Sequence, residues 1–333
     1  MPAIGALDAM RTMVNVLREV SLDELRQQAE TPPRLLIIGP TGEDARRLGE
    51  ALTGGEGQLT AIFRAADEPI DSPGRLDAAV VWDPQRTGAV SRIGEALRYE
   101  SPPVPVVRFE GAGPESLAAI GATRGEILKR NPDRAPSFGR ALPAFRGAAA
   151  KQVIDETAAA NAQFSLMSNI PALIPVIGNI AAAGADFIVL TKNQVMMLYK
   201  LAAVFNRDLH DQRGILQEVL PVVGAGLVWR TVAREAAALL PFAAGTIPKV
   251  AIAYVGTMAV GRGAEFFYRT GLKPSQSQME QFWRQAAERL RHLDVPGMQR
   301  LFPRNGAMAD RAPRVTVVSE ADARRETERS SLN

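Results

Sequence analysis

The chain contains no cysteine, and its histidines are limited to His210 and His292. Without cysteine it can form neither disulfide bonds nor thiolate metal sites. So few histidines leave almost no material for a multi-histidine metal centre or for a Ser-His-Asp catalytic triad. The composition therefore argues against the commonest metal and nucleophilic chemistries.

Aromatic residues make up only 6% of the chain, and the formal net charge is only +3. Such a small charge, without a basic run interleaved with aromatics, argues against nucleic acid as a partner. Hydrophobic residues still reach 46%. With 333 residues, the chain is long enough for two domains that each bury a core.

Residues 31–130 alternate between short apolar runs and helical patterns. The predicted strands are Leu35–Ile38, Leu59–Phe63, Ala78–Trp82 and Val104–Phe109, and the predicted helices are Glu43–Leu52, Arg92–Tyr99 and Pro114–Lys129. Continuous apolar strands separated by helices are typical of a mostly parallel sheet that is covered on both faces. We therefore predict a doubly wound α/β domain, preceded by an amphipathic helical lead-in over residues 1–30.

A candidate phosphate site follows the first predicted strand. Ligands of such sheets bind outside the carboxyl ends of the strands, and a Gly-Pro-Thr-Gly turn lies there at residues 39–42. Backbone amides of the turn could hold phosphates, and aspartates after later strands could hold magnesium. The candidate cofactor-binding residues, which apply only if a nucleotide binds, are Gly39, Thr41, Gly42, Asp71 and Asp83.

The turn departs from a working phosphate loop, which has the spacing Gly-x-x-x-x-Gly-Lys-Ser/Thr. The positions of the second glycine, the lysine and the hydroxyl residue are taken by Asp44, Ala45 and Arg46. An aspartate beside a triphosphate adds repulsion where catalysis requires neutralisation. Residues 71–74 spell the Asp-x-x-Gly element of GTPases, but Asp, Pro and Gly equally favour an ordinary turn. We therefore assign no catalytic residue and no metal ligand, and we expect no cofactor, with GTP as the alternative.

The second half of the chain changes in composition. Residues 131–147 are rich in Pro and Arg and predict an interdomain linker, and residues 148–300 predict an all-α domain. Thr157–Ala185 contains no charged residue, and Ala236–Gly261 is interrupted only by Lys249. Both stretches exceed the roughly 20 residues that cross a bilayer, so they are candidate membrane segments, with a soluble helical bundle as the alternative. Residues 301–333 predict a charged, disordered tail.

Two polar positions within the predicted helical domain are Asp186 and Gln194. Asp186 is expected to be the N-cap of a helix, because Asp is a preferred capping residue. The alternative is a buried carboxylate paired with Lys192 or Arg230, since charges within membrane segments usually face a partner. Gln194 is expected to hydrogen-bond within the helical bundle.

Three motifs carry a family resemblance, namely Ile174-Pro175-Val176-Ile177-Gly178, Gly184-Ala185-Asp186 and Leu190-Thr191-Lys192-Asn193-Gln194-Val195-Met196-Met197. With the small-residue stretches at Val223–Leu227 and Leu240–Gly245, they resemble the helical GTPase-associated family of uncharacterised function, over about residues 151–271. The resemblance implies membrane association and a GTPase-like N-terminal domain. It also implies a protein partner, with a GTPase as a candidate.

The leading hypothesis is a non-catalytic, membrane-associated scaffold or regulator. Its pseudo-GTPase α/β domain would face the cytoplasm and engage a protein partner. One alternative is a nucleotide-binding, GTPase-like regulator with an atypical phosphate loop. The other is a soluble helical-bundle adaptor with a receiver-like α/β domain, because strand and helix order alone does not define function.

Overall fold

The computed structural model describes residues 22–55, 61–70, 74–100, 102–167, 179–212, 214–215, 217–218 and 246–292. The chain divides into two compact units. The α/β unit comprises residues 15–157 and 195–215, and the helical unit comprises residues 1–14, 158–194 and 216–333. Each unit is treated by itself below.

The α/β unit is built on a four-stranded parallel sheet in the order β2-β1-β3-β4. Its strands are β1 (Leu35–Gly39), β2 (Ala61–Ala65), β3 (Ala78–Trp82) and β4 (Val106–Phe109). Its helices include α1 (Asp23–Glu30), α2 (Gly42–Thr53), α3 (Ala89–Ala96), α4 (Leu117–Arg130) and α5 (Ala135–Ala141). The predicted α/β class with a parallel sheet is confirmed.

Helices pack on both faces of this sheet, because alternate strand residues point to opposite sides. On one face, a buried apolar cluster joins the sheet to α3. The strands contribute Leu36, Ile38, Ala79 and Val81, and the helix and its C-cap contribute Ala89, Ile93 and Leu97. The other face receives α2 so closely that a Cβ added at Gly49 would lie 3.1 Å from Cδ1 of Ile37 and 2.1 Å from Cε1 of Phe63. A side chain at position 49 would therefore have to displace the ring of Phe63.

The Pro- and Arg-rich segment 131–147, which the sequence predicts as a linker, is helical and buried within the α/β unit. Phe138 and Phe145 are fully buried and their ring centroids lie 5.2 Å apart. Arg134 donates from Nε to Asp77 Oδ1 (2.9 Å), from Nη1 to the Gln28 carbonyl (2.7 Å) and from Nη2 to the Thr31 carbonyl (2.9 Å). This side chain therefore ties α1 to the loop that precedes β3.

Two long helices contribute residues to both units, α6 (Arg146–Met167) and α7 (Asn179–Val204). The helical unit also contains α8 (Thr246–Thr270) and α9 (Gln276–His292). Its helices are joined by a buried polar contact. Asn161 donates to Thr257 Oγ1 at 2.9 Å and accepts from Asn193 Nδ2 at 2.8 Å.

A tight turn connects α8 to α9. Gly271 has a φ of 72°, a left-handed conformation that favours glycine. Ser275 and Gln278 then form a reciprocal cap at the start of α9, because the Ser275 N–H donates to Gln278 Oε1 and the Gln278 N–H donates to Ser275 Oγ. The two helices pack against each other, with the Phe266 and Phe282 ring centroids 6.4 Å apart.

No helix among the described residues is long and apolar enough to cross a bilayer. The candidate membrane segments Thr157–Ala185 and Ala236–Gly261 extend into residues 168–178 and 236–245, which lie outside the described ranges. The structure therefore gives the membrane segments no support, and they stay a prediction. The predicted tail at 301–333 also lies outside the described residues.

Candidate functional site

The carboxyl ends of β1, β3 and β4 lie along one edge of the sheet, because parallel strands all end on the same side. This edge is where α/β sheets usually bind ligands. It carries the 39–42 turn after β1, Asp83 after β3 and the 109–113 segment at the end of β4. These three segments make up the candidate site.

The turn after β1 is short, since only Pro40 and Thr41 separate the strand from α2. A Cβ added at Gly39 would lie 2.6 Å from the backbone N of Ala45, so glycine is needed where the helix returns over the strand. Nothing lies within 4 Å of a Cβ added at Gly42. The turn is therefore compact at its first glycine and open at its second.

The first turn of α2 is capped by its own side chains. Thr41 Oγ1 accepts a hydrogen bond from the Asp44 N–H at 3.1 Å and donates one to Asp44 Oδ2 at 2.7 Å. Glu43 and Asp44 add negative charge in the first helical turn. A helix N-terminus attracts anions through its free N–H groups and its dipole. Here the chain supplies that anion itself, and we call this pair the Thr41–Asp44 cap.

The residues that replace the lysine and hydroxyl of a phosphate loop have other contacts. Ala45 is fully buried. The Arg46 guanidinium lies over the ring of Phe63, 5.9 Å from its centroid. A cation–π contact of this kind holds the charge beside β2. The nearest cation to the turn in sequence is thus engaged with an aromatic ring.

Asp83 is buried after β3, with 8% of the residue exposed. Its Oδ1 accepts from the N–H (2.8 Å) and hydroxyl (3.0 Å) of Thr87, and its Oδ2 accepts from the N–H groups of Gly88 and Ala89 (both 3.1 Å). Burial alone would raise the pKa of this carboxyl, but the hydrogen bonds from Thr87, Ala89 and Gly88 outweigh it and lower the pKa below its ordinary value.

The Asp83 carboxylate therefore serves as the cap of α3. Helix α3 begins at Ala89, and its N-cap residue, Gly88, has no side chain to satisfy the first N–H groups. Asp83 supplies the missing acceptor from the preceding loop. Both of its oxygens are committed to protein donors, so it is poorly disposed to bind magnesium.

An aromatic pair closes the edge between β3 and β4. Trp82 and Phe109 meet edge to face, with ring centroids 6.2 Å apart and an interplanar angle of 89°. The Trp82 Nε1–H donates to the Gly111 carbonyl at 3.1 Å. A Cβ added at Gly111 would lie 2.4 Å from Cε1 of Phe109, so only glycine fits this position. These contacts fold the 109–113 segment over the end of the sheet.

The three remaining candidate residues lie outside the described ranges or in the helical unit. Asp71 lies outside the described residues. Asp186 lies within α7, which begins at Asn179, so it is not the N-cap of that helix and the capping prediction is wrong. Gln194 is partly buried in the same helix. In the part of the chain that is described, no group of His, Asp and Glu residues is placed to hold a metal ion.

Sequence reasoning missed several of the residues that shape this edge. Asp44 was interpreted as a defect of a phosphate loop, whereas it completes a cap whose Thr-x-x-Asp spacing resembles the Ser/Thr-x-x-Glu capping box. Thr87 and Trp82 gave no local signal, because their partners are defined only once the loops after β3 and β4 have folded.

Comparisons of the chain with known protein families, with curated proteins and with solved structures find no significant match. The resemblance to the helical GTPase-associated family therefore stays a prediction that rests on the quoted motifs.

Proposed function

We propose that the chain is a non-catalytic scaffold or regulator that associates with membranes and whose α/β unit is a pseudo-GTPase module engaging a protein partner. The observation that carries the proposal is the Thr41–Asp44 cap at the position of a phosphate loop. The site that would bind a phosphate already contains a carboxylate of the same chain.

Electrostatics support the loss of nucleotide turnover. Catalysis of phosphoryl transfer depends almost entirely on positioning and on neutralising phosphate charge. The first turn of α2 contributes the acids Glu43 and Asp44, and Ala45 and Arg46 take the positions of the lysine and the hydroxyl residue. Of the two candidate magnesium ligands, Asp71 lies outside the described residues and Asp83 caps α3 with both carboxylate oxygens. A triphosphate–magnesium complex would meet repulsion at the helix and few free ligands after β3.

The membrane and partner halves of the proposal are supported by the sequence. Thr157–Ala185 and the almost uncharged Ala236–Gly261 supply the apolar stretches. The family resemblance supplies the expectation of a cytoplasm-facing α/β unit and of a protein partner, with a GTPase as the candidate.

Calorimetric titration of the full chain with GTP, GDP, ATP and ADP in the presence of magnesium tests the first half. We expect no binding at nucleotide concentrations up to about 1 mM. Any binding free energy would then be weaker than roughly −4 kcal/mol. The matched variant is Gly42→Asp, which adds a further carboxylate at the open side of the turn. Micromolar nucleotide binding that disappears in this variant would contradict the pseudo-GTPase proposal and favour the nucleotide-binding alternative.

Fractionation of cells that express the full chain tests the membrane half. We expect the protein in the membrane pellet, and we expect detergent to release it. Washing the pellet with high salt and then with alkaline carbonate distinguishes peripheral association from insertion. Recovery of all the protein in the soluble fraction without detergent would remove the membrane claim.

The strand order favours a second candidate, an adaptor with a receiver-like α/β unit. The order β2-β1-β3-β4 follows the flavodoxin-like order of doubly wound sheets, which receiver domains share. This candidate requires an accessible carboxylate after β3, and Asp83 is the residue at that position. Incubation with acetyl phosphate, followed by mass spectrometry, distinguishes the two functions. A phosphoryl group on Asp83 that is lost in Asp83→Asn supports the receiver-like adaptor, and its absence rules this second candidate out.

A further inference from the structure

The helical unit contains a cleft of about 650 Å³ between α8 and α9. Sites for small molecules usually have volumes of roughly 300–1,000 Å³, so the cleft is large enough for a ligand of that class. All of its lining residues lie on these two helices, which the short turn at Gly271 joins. The cleft is therefore a property of one helical hairpin.

One side of the cleft is cationic. Arg262 and Arg269 from α8 and Arg289 from α9 line it together with a single carboxylate, that of Glu265. Glu265 has 8% of its side chain exposed, and its carboxylate lies 2.6 Å from Arg262 Nη1 and 3.8 Å from Arg269 Nη1. The guanidinium groups of Arg262 and Arg269 together exceed the single negative charge of Glu265, so this lining is complementary to an anion.

The rest of the lining is apolar and aromatic. Phe266 from α8 and Phe282 from α9 pack together in the lining, with ring centroids 6.4 Å apart, and the buried Met258 and Ala286 also line the cleft. The Arg269 side chain, by contrast, is 63% exposed. The cleft thus combines a cationic mouth with apolar walls, and it matches a ligand that carries an anionic group on an apolar segment.

We propose that this cleft binds a phosphate-bearing amphiphile. Its phosphate would contact the guanidinium groups of Arg269 and Arg289, and the first carbons of its chain would lie against Phe266 and Phe282. A phosphate monoester carries a charge of about −1.5 to −2 near neutral pH, which is opposite in sign to the charge of the guanidinium groups in the lining. The planar guanidinium fork is also well suited to phosphate oxygens.

Glu265 acts as a positioning residue in this arrangement. Its buried carboxylate contacts Arg262 and lies near Arg269, one helical turn further along α8. A carboxylate between two guanidinium groups holds both near the cleft and reduces their mutual repulsion. A membrane phospholipid and a soluble alkyl phosphate share the chemistry that the cleft recognises. The lipid as source rests on the membrane association proposed above.

The first experiment measures binding of hexyl phosphate to the full chain by calorimetry, with inorganic phosphate and hexanol as partial ligands. We expect hexyl phosphate to bind at least about tenfold more tightly than either part, because each buried CH₂ contributes about 0.8 kcal/mol. The double variant Arg269→Gln/Arg289→Gln should weaken hexyl phosphate binding by at least about tenfold, because it removes charge-assisted hydrogen bonds.

The control is Arg284→Gln, which removes one positive charge from α9, as the Arg289→Gln half of the double variant does. Arg284 is 58% exposed and lies 3.7 Å from Glu280 rather than among the lining residues. The affinity of the Arg284→Gln variant for hexyl phosphate should stay within about twofold of that of the unaltered chain, because exposed ion pairs contribute little. The cleft proposal is overturned by no binding of hexyl phosphate, by an unchanged affinity in the double variant, or by an equal loss in the control.

Vesicle flotation identifies the source of the ligand. Vesicles of phosphatidylcholine are compared with vesicles that also contain phosphatidic acid. Stronger flotation with phosphatidic acid, reduced in the double variant, supports the lipid as ligand. Equal flotation with both compositions and in every variant keeps the membrane association and overturns the lipid assignment. Hexyl phosphate binding without any flotation keeps the cleft and removes the membrane half of the proposed function.

Discussion

The α/β unit and the helical unit use their polar side chains differently. In the α/β unit, Asp83 and Arg134 bond largely to backbone groups, so that each satisfies a loop or a helix end. In the helical unit, Asn161 bonds to the side chains of Asn193 and Thr257 on two other helices. The first pattern fixes local structure, whereas the second fixes the register between helices.

This difference indicates where each unit has side chains available to bind a ligand. A carboxylate that satisfies its own backbone gives up the oxygens that a metal or a phosphate-linked magnesium would need. In the helical unit, the polar contacts between helices do not occupy the cleft, which is lined by charged and aromatic side chains. The sheet edge is thus closed by its own capping groups, and the cleft between α8 and α9 keeps a cationic mouth.

Removing the Arg134 side chain, which joins α1 to the loop before β3, should have the largest effect. Arg134→Ala leaves the Asp77 carboxylate, whose side chain is 6% exposed, without one of its guanidinium partners, and it also frees two carbonyls. We expect a loss of about 3 kcal/mol in the free energy of unfolding, measured with urea. Arg98→Ala, which breaks the exposed pair with Glu95, should cost less than about 0.5 kcal/mol. Equal losses would refute a special role for Arg134.

Asp83→Ala should have the next largest effect, because it leaves the N-terminus of α3 uncapped. We expect a loss of about 2 kcal/mol in urea unfolding, at the upper end of the range for helix caps. Asp83→Asn is the conservative control, since its amide oxygen can still accept part of the hydrogen bonds. A loss in Asp83→Asn as large as that in Asp83→Ala would mean that charge, rather than capping, accounts for the effect.

The same carboxyl predicts a dependence of stability on pH. The pKa of Asp83 is lower in the folded protein than in the unfolded chain. Its contribution is therefore fully present above the unfolded pKa of about 3.9 and is lost as pH falls through the folded value. The free energy of unfolding should be measured at roughly half-unit steps from about pH 6 down to the pH at which the protein unfolds. It should fall less steeply with pH in Asp83→Asn than in the unaltered chain. Parallel pH profiles would contradict this assignment.

A smaller effect is expected at the polar contact of the helical unit. Asn161→Ala removes two hydrogen bonds between helices and leaves Thr257 Oγ1 and Asn193 Nδ2 without this partner. We expect the helical unit to be destabilised by about 1.4 kcal/mol. This corresponds to about tenfold faster hydrogen exchange of the amides around residues 253–257. Exchange of the β1 and β3 amides should not change, and equal acceleration there would show that the effect is global.

The sheet could be predicted because its signal is local. β3 has the predicted bounds, Ala78–Trp82, and β1 differs by a single residue at its end. Both are continuous apolar runs bounded by polar or turn residues, as fully buried parallel strands require. The helices on the two faces followed from the same alternation of runs.

The segment 131–147 and the closure of the sheet edge could not be predicted in this way. Prolines suggested a linker, but Pro136 lies in the first turn of α5, where a missing N–H costs little. The burial of Phe138 and Phe145 depends on partners elsewhere in the chain. Likewise, the hydrogen bond from Trp82 Nε1 to the Gly111 carbonyl joins residues far apart in sequence. Such contacts arise from tertiary packing and leave no periodic pattern.

The smallest expected effect directly tests the closed state of the sheet edge. Asp44→Ala removes the carboxylate of the Thr41–Asp44 cap, and we expect a loss of about 0.5–1 kcal/mol in urea unfolding. Glu43→Ala, which removes the same charge from the same helical turn, should cost less, because Asp44 is the acid that bonds to Thr41. GTP with magnesium should bind neither variant, since the turn still lacks a lysine. Binding gained in Asp44→Ala alone would mean that the edge is a closed nucleotide site, and the contrast between the two units would then have to be given up.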